Sequence, residues 1–73
     1  MIGNIKLKLA KQLRMLRRRF GYSQEVLAER AGLDYKHIQR LESKTPNAAR
    51  IDTLEKLAKS FNLTCSELLK FKD

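Results

Sequence analysis

Seventy-three residues carry sixteen Lys and Arg against eight Asp and Glu, for a net charge of +8. That length accommodates one domain, residues 1–73, whose core is small enough to need very regular helix packing or a partner subunit. A lone cysteine, Cys65, excludes an internal disulfide and suits a reducing compartment, while the charge bias suits a polyanion, nucleic acid ahead of an acidic membrane surface.

Ile5, Leu9, Leu13, Leu16 and Phe20 recur in steps of four, four, three and four, which predicts a first helix with one apolar face. Gly21 terminates it, because glycine takes the left-handed conformation that follows a helix C-terminus. Ser23 is the expected N-cap of a second helix, Gln24 to Ala31, which Gly32 ends. Asp34 caps a third helix running to about Ser43, with Ile38 and Leu41 facing inward. Lys44 to Arg50 reads as a polar loop around Pro46. Ile51, Leu54, Leu57, Ala58 and Phe61 then return at helical spacing, with Asn62 as a left-handed terminator. Thr64 and Glu67 form a capping-box pattern that opens a last short helix with Leu68 and Leu69 inside. Five helices without a strand pattern or repeat predict an all-α fold.

The longest stretch without a charge is the seven residues Ser60 to Ser66, too short to span a bilayer. Lys6, Lys8, Lys11, Arg14 and Arg17 interrupt the apolar run that a signal peptide requires. The expectation is a soluble, cytoplasmic protein without a membrane partner. His37 is the only histidine and has no metal-ligand spacing around it. No Ser/His/Asp or Cys/His set, Gly-rich phosphate loop or paired carboxylate is present, so neither an enzyme, a cofactor, a metal nor a small-molecule ligand is expected.

Residues 24–43 are the informative stretch. Ala28 precedes Gly32 by four residues, Ile38 follows it by six, and Leu41 lies three further on. Two helices crossing steeply through a short turn require these residue types: a small side chain at the crossing, a glycine in the turn, and apolar residues that lock the second helix down. Leu27 and Leu33 fill the space between them.

The run Ser23-Gln24-Glu25-Val26-Leu27-Ala28-Glu29-Arg30-Ala31-Gly32-Leu33, followed by Ile38, Leu41 and Glu42, resembles the lambda repressor/Cro-like (XRE-type) helix-turn-helix family. The similarity continues through Ile51, Leu54, Leu57, Ala58 and Phe61 to Leu68. It implies a five-helix lambda-repressor-like domain with a central helix-turn-helix that binds double-stranded operator DNA, commonly as a homodimer, and regulates transcription.

By the same resemblance, the third helix enters the major groove and directs Tyr35, Lys36, Gln39 and Arg40 to base edges. Gln24, His37, Ser43, Lys44, Thr45 and Asn47 are the expected backbone contacts, with Gln24 alternatively bracing a base-reading side chain. Arg17 and Glu42 occupy the positions of a structural ion pair. Independently, Arg40 and Lys36 suit guanine O6 and N7, Gln39 suits adenine, and Tyr35 can pack on a thymine methyl. The chain departs from the family at Lys44, where glycine is usual, and in a following loop one residue longer. A dimer interface is expected at the C-terminal helix, from Leu63, Leu68, Leu69 and Phe71. Two alternatives stay open: an antitoxin that represses its own operon, and a protein-interaction adaptor that retains the fold.

Overall fold

The computed structural model describes residues 4–71. Five helices follow one another: α1 (Ile5–Arg19), α2 (Gln24–Ala31), α3 (Tyr35–Leu41), α4 (Ile51–Ser60) and α5 (Cys65–Leu68). Helix α2 packs on both α3 and α4, α4 packs on α5, and α1 reaches α3. Their shared core holds Leu13, Leu27, Ile38, Leu41, Leu57, Phe61 and Leu68, all fully buried.

Side-chain caps start four of the helices. Asn4 Oδ1 accepts from the Lys6 N–H at 2.8 Å, Ser23 Oγ from Val26 at 3.1 Å, and Asp34 Oδ1 from Lys36 at 2.8 Å. At α5 the capping box closes both ways, Thr64 Oγ1 accepting from the Glu67 N–H at 3.1 Å and Glu67 Oε1 from the Thr64 N–H at 2.9 Å. Arg50, at the N-cap of α4, makes no capping hydrogen bond. Asp52 replaces it, accepting from the Thr53 N–H at 3.0 Å and pairing with Arg50 at 3.3 Å.

Three helices end by one device. After α1, α2 and α4 the chain passes through a left-handed residue, Gly21 (φ 71°), Gly32 (φ 68°) and Asn62 (φ 58°) respectively. The next N–H then reaches back five residues, from Tyr22 to Arg17, Leu33 to Ala28 and Leu63 to Ala58, at 2.8–2.9 Å. This pattern satisfies carbonyls that the helix end leaves without partners. It also turns the chain sharply, so Leu33 and Leu63 fold back onto the core.

Several sequence expectations need correction. Ile5 is 64% exposed and Ile51 81% exposed, so neither belongs to the core. The buried arc of α1 runs instead through Leu9, Ala10, Leu13 and Leu16, and that of α4 through Thr53, Leu57 and Ala58. Phe20 lies beyond α1 as its C-cap and packs edge-on against Phe61, centroids 5.2 Å apart. Helix α3 ends at Leu41 rather than near Ser43, because the Ser43 N–H and hydroxyl both turn back to the Arg40 carbonyl, at 3.3 and 2.8 Å. Leu68, assigned to a dimer surface, is fully buried within its own chain. Leu63 and Phe71 also pack partly against that core, whereas Leu69, expected inside the last helix, is its C-cap and the exposed member of the set.

The Glu67 carboxyl is held below the ordinary glutamate range by the Thr64 N–H, then by its hydroxyl, with Lys70 adding attraction. A lowered folded-state pKa contributes stability above the unfolded value, and that stability is lost as pH falls through the folded value. Loss of the Thr64 hydroxyl cap itself, in Thr64→Ala, should lower unfolding stability by about 1 kcal/mol near neutrality. Urea titrations at stepwise lower pH should show the gap to wild type narrowing through the Glu67 titration. A gap independent of pH would mean that the Thr64 hydroxyl does not act on the Glu67 carboxylate.

Candidate nucleic-acid interface

The orientation of α3 follows from its two buried residues. Ile38 and Leu41, three apart, lie at the core, so the opposite face of a seven-residue helix must point outward. Tyr35, Lys36, Gln39 and Arg40 occupy that face and are all exposed. Lys36 and Arg40 are one turn apart, which places two cations in a row along it. Gln39 donates from its amide to Tyr35 Oη at 3.1 Å, so these two side chains brace each other.

Beyond Leu41 the chain doubles back, and the residues after the turn come alongside the helix. Lys36, Gln39 and Arg40 from α3, with Ser43, Thr45 and Asn47 from the loop, line one open groove. Half of this lining is a base-edge chemistry set and half a hydroxyl-and-amide set suited to phosphate oxygens. Tyr35 and Lys44 are exposed and His37 half-buried, and none of the three lines the groove.

Glu42 fixes the position of this face. It is the C-cap of α3, and its carboxylate is almost fully withdrawn from solvent. Arg17 grips it in a fork: Nε donates to Oε2 at 2.9 Å and Nη2 to Oε1 at 3.0 Å. Gln24 Nε2 donates to the same Oε1 at 3.1 Å. The Arg17 guanidinium also donates to the Tyr22 carbonyl at 3.1 Å, and Arg14 Nη1 donates to the backbone carbonyl of Glu42. Helices α1, α2 and α3 thus converge on one carboxylate.

This network assigns Gln24 within the fold, since one of its amide N–H groups is directed to Glu42. Arg14 entered the sequence reading only as a charge interrupting the first helix, and nothing in its local pattern distinguishes it from neighbouring arginines. The partner it finds is a main-chain carbonyl, which no residue-type pattern reveals. A second unanticipated group is the aromatic cluster at the back of α2. Tyr22 stacks on Phe61 at 5.7 Å, and the Arg30 guanidinium sits over the Tyr22 ring at 4.9 Å. It secures the far end of the helix pair.

Among the described residues there is no cluster able to hold a metal ion, and no helix is long and apolar enough to cross a membrane.

A helix-turn-helix family model matches residues 13–68 of the chain. No curated protein matches it. Several solved structures do. A hypothetical transcription factor from Neisseria, NHTF, is 32% identical, superposes with a TM-score of 0.82, and the match covers 93% of this chain and 77% of that one. The restriction-modification controller protein C.AhdI from Aeromonas hydrophila is 33% identical, with a TM-score of 0.77 over 86% of this chain and 94% of its own. SinR, a master regulator for biofilm formation solved in complex with DNA, is 26% identical with a TM-score of 0.77, covering 85% and 98%.

Removing one partner of a buried ion pair strands the other, at about 3–5 kcal/mol. Glu42→Ala should destabilise the domain by about that amount in denaturant titrations. Arg17→Met combined with Glu42→Leu should recover much of the loss, because no charge is left stranded. Additive losses in the double variant would mean that the two residues act independently.

Proposed function

The chain belongs to the helix-turn-helix family, in its XRE-type branch, and from that premise we propose that it regulates transcription by binding double-stranded DNA sequence-specifically as a homodimer on a palindromic operator. The observation that carries this reading is the composition of the α3 groove. Lys36, Gln39 and Arg40 share it with Ser43, Thr45 and Asn47, so base-reading and phosphate-binding chemistry lie side by side. The net charge of +8 and the DNA-bound state of SinR support the same partner.

In the proposed mechanism α3 enters the major groove with its exposed face toward the base edges. Arg40 donates in a bidentate way to guanine O6 and N7, and Lys36 donates as a point charge. Gln39 exchanges its bond to Tyr35 for adenine N6 and N7, which frees Tyr35 to pack on a thymine methyl or reach a phosphate. His37, Ser43, Lys44, Thr45 and Asn47 set the register on the backbone. Gln24, opening α2, adds a backbone contact while its amide braces Glu42 and hence the end of α3. Affinity comes largely from counterions released as Lys and Arg neutralise phosphates. In the dimer, two α3 helices reach major grooves one helical turn, about 34 Å, apart.

Selection from a random duplex pool should return a palindrome. Arg40→Ala should relax the preference at one position per half-site and weaken the selected site by about 1–3 kcal/mol. Lys44→Ala should weaken all sequences evenly and reduce the slope of log affinity against log salt by about 1 per contact. An unenriched pool at physiological salt would overturn operator reading. Retained function with Arg40→Ala indistinguishable from wild type would favour the protein adaptor.

A further inference from the structure

The end of the molecule where α1 begins, α4 begins and α5 finishes carries a second surface, unlike the rest. Ile5 and Leu9 of α1, Ala48 and Ala49 of the loop, Leu54 of α4 and Leu69 wall a hollow of about 210 Å³. Among its described lining residues only Lys6 is charged, in a chain with sixteen cations. Beside the hollow stands Ile51, 81% exposed and three residues before Leu54, hence on the same side of α4. It is the most exposed large apolar side chain described, and among the described residues it is no part of the packed core.

A branched aliphatic knob next to an apolar hollow makes this face self-complementary. Two copies related by a two-fold axis can each insert a knob into the other's hollow, the arrangement that defines an isologous interface. A foreign apolar segment would use the hollow and leave Ile51 in water, so the pairing of features selects a second copy. Charge favours the same occupant. Two chains of +8 repel wherever their cations meet, but here the knob is flanked by Arg50 and Asp52, already paired at 3.3 Å. Across a two-fold axis each can turn to the opposite charge of the other copy without adding net charge to the contact.

We propose that this hollow seats Ile51 of a second copy, and that the homodimer invoked above is built on this face rather than on Leu63 and Phe71. The proposal rests on the homodimeric reading and names its interface. It also links assembly to binding. Asn47 lines both the apolar hollow and the groove of α3, so seating the knob orders the loop that carries the phosphate contacts. Such coupling is reciprocal: DNA strengthens the dimer by the factor by which the dimer strengthens DNA binding.

The test combines sedimentation equilibrium of the full chain with titration of labelled duplexes carrying one or two half-sites from the selected palindrome. Wild type should be dimeric. Ile51→Glu should be monomeric with an unchanged circular dichroism spectrum, keep its single half-site affinity, and lose about 100-fold on the two-half-site duplex. Ile51→Leu should behave as wild type. Ala48→Phe, which fills the hollow while leaving the knob in place, should match Ile51→Glu. A wild type monomeric at all concentrations with and without DNA, or an Ile51→Glu protein that keeps the wild-type mass, overturns the proposal. Dimers lost in both variants, from a protein that binds no duplex, would support the seat and overturn operator binding alone.

Discussion

The buried carboxylate of Glu42 is the constraint from which the rest of the arrangement follows. A charge withdrawn this far from water is tolerable only when its lone pairs are filled, and here Arg17 and Gln24 fill them. The donors come from α1 and α2, while the acceptor closes α3. Once the carboxylate is buried, the three helices cannot slide against one another without stranding a charge. Apolar contacts among Leu13, Leu27, Ile38 and Leu41 supply cohesion, yet such contacts tolerate small shifts. The fork geometry of a guanidinium does not. A face that must present side chains to a rigid ligand needs this second kind of restraint.

The turns complete the placement. Each left-handed closure after α1, α2 and α4 reverses the chain within two residues and drops an apolar residue or ring onto the core. The turn after α2 is the consequential one. Gly32 adopts its positive φ with no atom near the position a Cβ would take. Glycine is therefore favoured there by backbone conformation and not by crowding.

Much of the fold was legible in the sequence, since helix caps and left-handed terminators are local and announce themselves by residue type. Ser23, Asp34 and Thr64 cap the helices they were expected to cap, and Gly32 and Asn62 end theirs. The errors share one cause. Ile5 and Ile51 fit the helical period, but each lies in the first turn of its helix, beyond the reach of a core this small. Leu68 is buried as its capping-box helix implied, which removes it from the dimer surface it was also assigned to, whereas Leu69, expected inside beside it, is exposed. Periodicity identifies a face and leaves open how far along the helix that face is covered. For the interface, residue types on α3 were readable and their juxtaposition with Ser43, Thr45 and Asn47 was not, because the turn after Leu41 decides it. Likewise, the resemblance paired Arg17 with Glu42, while the parts played by Gln24 and Arg14 required coordinates.

Gln12 joins the two ends of the fold. Its amide, in the middle of α1, donates to the carbonyls of Leu68 at 3.2 Å and Lys70 at 3.4 Å, across more than fifty-five residues of sequence. Leu68 meanwhile contributes a fully buried side chain to the core. The packing of α1 is therefore complete only once the segment around α5 is in place. Completing the fold thus carries the entropic cost of closing one long loop, a cost that the growth of local helices does not meet.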